Sequence, residues 1–139
     1  MKIIKFRALC TEEFHTSHDC IEKGHWCYGI PVLGDEKMQV AMQQESGGIC
    51  SGIVTAYVSI DPKTIGEFTG LFDKKGVEIY EFDIVAIDNE ENPVITKCIY
   101  EPGYFTLLDS AGGSWTRQLF HQQERLEVVG NRFENPELL

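Results

Sequence analysis

Apolar residues along this chain recur mainly at every second position, the spacing that places alternate side chains on opposite faces of a strand. Ile4, Phe6 and Ala8 alternate with Lys5 and Arg7, and Val54, Ala56, Val58 and Ile60 alternate with Thr55, Tyr57 and Ser59. Both stretches read as half-buried strands. Met38, Val40 and Met42 alternate with Gln39 and Gln43, but Met38 and Met42 also stand four apart, so this segment fits a strand or a helix. Gly34-Asp35 and Ser46-Gly47-Gly48 supply residues that tolerate positive φ and mark the turns between these runs. A meander results.

The pattern breaks at Asp61-Pro62-Lys63-Thr64, where Asp can accept backbone N–H groups and Pro suits the first position of a short helical turn. Beyond it, Thr69–Phe72 and Val77–Tyr80 flank Asp73-Lys74-Lys75-Gly76, a hairpin whose glycine takes the left-handed position. Ile84–Ile87, Val94–Tyr100 and Tyr104–Leu108 are further strands; the last leads through Ala111-Gly112-Gly113 to Trp115. Leu119–Arg125 suits a helical turn and Leu126–Val129 a closing strand. Short strands at this spacing predict an all-β protein, with a β lobe over residues 1–68 and a small barrel or roll over residues 69–139.

Charge narrows the classes of partner. The 139 residues carry 12 Lys and Arg against 22 Asp and Glu, a net charge of −10. Sequence-independent binding to nucleic acid depends on cations that neutralise phosphates, so this balance weighs against it. Neither half conceals a basic region: residues 1–68 hold 6 basic and 9 acidic residues, and residues 69–139 hold 6 and 13. The cluster Lys2, Lys5 and Arg7 reads as the wet face of an edge strand. No apolar run is long enough for a membrane span and the N-terminus shows no apolar signal core, so a cytoplasmic protein is expected. At this length a hydrophobic core needs no metal or disulfide.

Cys10, Cys20, Cys27, Cys50 and Cys98 form no C-x-x-C pair and read as free thiols. Cys10, His15, His18 and Cys20, followed by His25 and Cys27, place six soft or borderline ligands in one stretch, and a structural zinc would need four of them to converge tetrahedrally. Their spacing matches no usual finger or ribbon, so the expectation is a polar loop without metal, with Cys10, His15, His18 and Cys20 as the alternative ligand set.

Longer blocks carry a resemblance. Ile3-Ile4-Lys5-Phe6-Arg7-Ala8, Trp26-Cys27-Tyr28-Gly29, Ile60-Asp61-Pro62-Lys63-Thr64-Ile65-Gly66-Glu67-Phe68-Thr69-Gly70-Leu71, Asp73-Lys74-Lys75-Gly76 with Glu78-Ile79-Tyr80-Glu81, Asp83-Ile84-Val85, and Val129-Gly130-Asn131 with Glu134-Asn135-Pro136-Glu137-Leu138-Leu139 stand in an order that resembles the YopX family of small phage and prophage proteins. The resemblance implies an all-β fold with an SH3-like barrel in the C-terminal half. It brings no known enzymatic activity and no catalytic residues. Two departures stand out. The family has Gly where this chain has Phe82, so either that turn no longer takes positive φ or Phe82 adds apolar surface. The stretch between Ala8 and Trp26 reads as a local surface loop.

Enzyme chemistry finds little purchase in the residues. Cys27 beside His25 and Cys20 beside His18 have the residue types of an activated thiolate, yet positions two apart on a strand share a face without touching. Glu81 and Asp83, or Asp88, Glu90 and Glu91, have the types for cation binding or acid–base work, but the second group is followed by Asn92-Pro93 and reads as a solvated turn. Neither a phosphate-binding glycine loop nor a G-x-S-x-G elbow is present, and no cofactor is implied. Aromatics offer a different role, because small β-barrels expose grooves of Tyr, Trp and Phe that hold peptides or stacked bases. Trp26, Tyr28, Tyr80, Tyr100, Tyr104 and Trp115 are available, with Tyr80, Tyr104 and Trp115 the leading surface candidates. The expected function is a non-enzymatic module that binds a host or phage protein in a bacterial cell. A nucleic-acid-associated module is the alternative. Exposed strand edges invite self-pairing, which a closed homo-oligomer would protect.

Overall fold

A computed structural model of the chain describes residues 3–15, 20–34, 37–46, 52–89 and 91–139. The chain divides into two units, Ile4–Glu67 and one made chiefly of Phe68–Leu139. Among the described residues twelve strands run as β1 (Phe6–Leu9), β2 (Phe14–His15), β3 (Cys20–Ile21), β4 (Trp26–Leu33), β5 (Met38–Ser46), β6 (Gly52–Ser59), β7 (Gly66–Phe72), β8 (Glu78–Tyr80), β9 (Asp83–Ile87), β10 (Val94–Glu101), β11 (Tyr104–Asp109) and β12 (Leu126–Asn131). A single α-helix, α1 (Thr116–His121), accompanies three 3₁₀ turns among the described residues. The all-β expectation holds.

In the first unit β4, β5 and β6 form an antiparallel meander, and β1 lies between β4 and the start of β7. Met38–Ser46 resolves as a strand because it bonds on both sides, Val40 standing opposite Pro31 and Val58. The face bearing Ala8, Val40 and Ile60 is buried, with Met38 and Ile65 packed on it. Gly29 permits a close approach of β4 and β5: a Cβ there would meet Val40 Cγ1 at 2.7 Å and collide with the Ala41 carbonyl. The Asp-Pro-x-Thr block forms the predicted turn, over Pro62–Thr64. Asp61 Oδ1 accepts the Lys63 N–H, while Thr64 Oγ1 donates to the Asp61 carbonyl and accepts from Leu9 N–H, tying the turn to β1.

In the second unit the end of β7 pairs with β8 around the Asp73–Gly76 turn. Asp73 is buried, and its carboxylate accepts from the N–H groups of Lys75 (2.8 Å), Val77 (2.9 Å) and Val128 (2.9 Å), which fastens the turn to β12. Four strands form the antiparallel order β11-β10-β9-β12. One core gathers Ile79, Val85, Ile87, Cys98, Phe105, Leu107, Leu119 and Leu126. Of the expected barrel or roll, the sheet does not take a closed form: among the described residues β11 and β12 do not pair. The chain between them is occupied by α1 and the Gln123–Arg125 turn, and α1 closes the core through Leu119 instead. The helix also begins at Thr116, earlier than the predicted Leu119.

Phe82 settles the question raised by the missing glycine. Its φ is +72°, so the turn between β8 and β9 keeps the left-handed conformation with a bulky residue in it. Phe82 N–H donates to the Cys98 carbonyl, and its own carbonyl accepts from Arg132 N–H. The ring lies edge-on to Phe133 at 5.4 Å, with the Arg132 guanidinium 4.7 Å from the Phe82 centroid.

Candidate interaction surface

Register places a row of side chains across the first unit's sheet on the face opposite Ala8 and Val40. Ile30 stands opposite Ala41, and Ala41 opposite Tyr57; on the same face of β4, Tyr28 stands opposite Arg7 and Trp26 opposite Leu9. The relative exposures are 42% for Tyr28, 46% for Ile30 and 54% for Tyr57, a concentration of open apolar surface on one face. Such patches, when contiguous, mark contact sites more often than bare surface. Two cations lie over the rings: Arg7 sits 4.4 Å from the Trp26 centroid and Lys5 5.6 Å from that of Tyr28. This corrects the reading of Lys5 and Arg7 as the wet face of an edge strand. Strand β1 is internal to its sheet, and Arg7 is buried with its guanidinium against Trp26.

The three aromatics favoured by the sequence are in different environments. Tyr80, expected to be partly open at a strand end, is 2% exposed; its ring packs 5.4 Å from Phe68 and its hydroxyl donates to Glu78 Oε2. It therefore offers no open ring. Tyr104 is exposed at the start of β11, opposite Glu101. Its neighbour Phe105 points to the core side, where it packs edge-on against Tyr100. Trp115 is half-buried against the core and donates its indole N–H to Asp109 Oδ2 at 3.0 Å. Asp109 Oδ1 also accepts from Ala111 and Gly113 N–H, so the 109–115 loop is built around one carboxylate. The indole hydrogen bond, with Gly113 N–H next, holds that carboxyl below its ordinary range. The structure thus does not bring Tyr80, Tyr104 and Trp115 into one surface.

The exposed row that it does form includes Ile30 and Tyr57, which alternation alone conceals. Tyr57 falls on the polar side of the Val54–Ile60 pattern beside Thr55 and Ser59, and only the cross-strand register aligns it with Ile30.

The metal and nucleophile candidates change too. Cys10 and Cys27 are joined in a disulfide, with Cα atoms 6.3 Å apart and both residues buried beside Val58. This corrects the expectation of free thiols for that pair. It also removes Cys10 from the alternative zinc set and Cys27 from the nucleophile candidates. His18 and the side chains of His15 and Cys20 lie outside the described residues. His25 is exposed, 3.8 Å from Glu22. Of the carboxylates, Asp83 is buried and accepts from Tyr80 N–H, a structural hydrogen bond within the β8–β9 turn. Asp88 and Glu127 flank Lys74, each 3.2 Å from its ammonium, and Lys75 pairs with Glu127 as well. Hydrogen bonds from Lys75 and then Lys74 hold Glu127 below the usual carboxylate range, while Glu127 and then Asp88 raise Lys74. These are surface ties between the β7–β8 turn, β9 and β12. A shallow groove of about 200 Å³ lies along Ile95, Lys97, Leu108 and Leu138. No group of three or more metal-ligating side chains converges among the described residues, and no helix there is long and apolar enough to cross a membrane.

Comparison with known proteins adds a family and a fold. A family model described as YopX protein matches residues 17–139. Among solved structures, the chain is similar to the crystal structure of protein EF1440 from Enterococcus faecalis, with 27% identity and a TM-score of 0.59, over 99% of this chain and 98% of that one. No curated protein matches.

Proposed function

The chain belongs to the YopX family, and on that premise we propose that it is a non-enzymatic protein-binding module, encoded by a phage or prophage and working in the bacterial cytoplasm. The observation that carries this reading is the open face of the first unit, where Tyr28, Ile30 and Tyr57 expose apolar and aromatic surface on one side of a sheet. Aromatic side chains of this kind anchor protein interfaces because they bury large area with few rotatable bonds. The net charge of −10 selects among partners. It favours a neutral or basic protein of host or phage and opposes a polyanion at long range.

The test is capture from nuclease-treated host lysate with a photo-crosslinking residue in place of Tyr57, and separately of Tyr104. A specific protein joined at position 57, and lost when Ile30→Glu is added, is the expected result. Crosslinking at 104 alone would move the interface to the second unit. Absence of any partner at both positions, or a separate gel shift of nucleic acid that requires Tyr57, would overturn the protein-binding reading.

A further inference from the structure

The Cys10–Cys27 pair carries an inference independent of the open face. The backbone ladder runs alongside the bond: β1 and β4 pair through Phe6–Gly29, Arg7–Tyr28, Ala8–Cys27 and Leu9–Trp26, and Cys10 N–H then donates to the His25 carbonyl at 2.9 Å. The Gly24 N–H donates back to the Cys10 carbonyl at 2.9 Å, and Cys10 bridges to Ile60 on its other side. Both residues are buried, Cys10 at 3% and Cys27 at 0% exposure, in an apolar cluster with Val58. A cluster of this kind accommodates two thiols as readily as a disulfide, because reduced cysteine behaves as a small hydrophobe. Cys10 also sits where the ladder ends and the chain leaves the sheet, at the foot of the segment that returns through Gly24 and His25. Cys98, by contrast, is buried in the second unit and is not disulfide-bonded.

We propose that Cys10 and Cys27 form a reversible redox clasp that fixes the foot of this segment to the sheet in the oxidised protein and releases it in the reduced one. The oxidant is a low-molecular-weight disulfide of the glutathione class. The Cys10 thiolate, exposed when the His25 and Gly24 hydrogen bonds open, attacks that disulfide to give a mixed disulfide and one small thiolate. The Cys27 thiolate then attacks Cys10 Sγ and expels the second small thiol, so the protein loses two electrons and two protons and the oxidant gains them. Excess small thiol reverses both steps. The bond closes a loop 17 residues apart in sequence and so restricts the open ensemble at the foot.

The full chain is equilibrated in reduced or oxidised glutathione, quenched by alkylation under denaturing conditions and mapped by mass spectrometry. In parallel, amide exchange at Cys10 and Gly24 and tryptic cleavage after Lys23 are followed in each native state. The expected result is a Cys10–Cys27 linkage that forms and breaks with the redox couple. Cleavage after Lys23 should be at least about tenfold faster in the reduced protein, with exchange faster at both amides. Cys98→Ser retains the response and Cys27→Ser abolishes it. Both thiols alkylated after oxidation would overturn the proposal, as would a linkage that native protein in excess thiol never loses, or equal cleavage in the two states. Each of these is read on the natural chain, so a variant that fails to fold does not rescue it.

Discussion

At the scale of single residues, Phe82 and Asp73 show how local chemistry sets backbone form. A left-handed residue with a side chain costs about 1–2 kcal/mol relative to glycine, and Phe82 sits at φ +72° with its ring against Phe133 and Arg132. Removing the ring by Phe82→Ala and by Phe82→Gly deletes the same contacts, but only Gly relieves the backbone. Phe82→Gly is therefore expected to be more stable than Phe82→Ala by about 1 kcal/mol in denaturant unfolding; equal stabilities would mean that the turn relaxes out of the left-handed region. Asp73 stabilises differently, by accepting three backbone N–H groups while buried. Asp73→Ala leaves those donors unmet, and a loss of about 3 kcal/mol is expected by the same measurement. The Asp73–Gly76 turn was legible from its glycine, but the role of Asp73 as its acceptor was not read. Its third bond, to Val128, was not legible, because nothing local to the turn signals a strand 55 positions away.

At the scale of elements, alternation located most strands because period two survives wherever one face is buried. Buried Ala8 in β1 and buried Val58 and Ile60 at the end of the Val54–Ile60 alternation are such cases, whereas Ile4 precedes β1 and is exposed; Met38–Met42 was ambiguous only until a second neighbour strand decided it. The exposed row was harder to read, since Ile30, Ala41 and Tyr57 come from three strands and meet only by register. The loop after β11 illustrates an element held by one group, and its acid response follows from the direction of the shift. Asp109 titrates lower in the folded protein than when unfolded, first because of the Trp115 indole and then Gly113. Its contribution is thus complete above the ordinary carboxylate pKa of about 4 and is lost as pH falls below it through the folded value. The Trp115 indole N–H resonance should shift as pH is lowered through that window, and Asp109→Asn should remove the titration. An indole resonance that titrates identically in both proteins would place the proton elsewhere. Glu127, held low by Lys75 and Lys74, and Glu12, held low by Lys37, add acid sensitivity of the same sign.

At the scale of the whole molecule, each unit has its own core, and the acidity is uneven between the halves of the chain. Residues 69–139 carry −7 of the −10, from 6 basic and 13 acidic residues. Yet the open aromatic row lies in the less acidic half, so the charge tunes which partner approaches while apolar contact supplies the affinity. Short strands with turns between them predicted a small barrel or roll for the second half and left its closure undecided. Closure depends on whether the first and last strands meet, a long-range pairing that spacing does not encode; here α1 intervenes and contributes Leu119. The separation of cores has a measurable consequence. Leu107 is fully buried in the second unit's cluster and Val40 in one of the first unit's, and the two clusters share no residue. Leu107→Ala is expected to cost about 3 kcal/mol and Val40→Ala about 2 kcal/mol, through lost burial and the cavity left behind. With no shared partner, their costs should add to within about 0.5 kcal/mol in the double variant. Strand β7 itself is divided between the units, Gly66 and Glu67 belonging to the first and Phe68–Phe72 to the second. A double variant that departs from additivity by more than this would show that the two cores are not energetically independent.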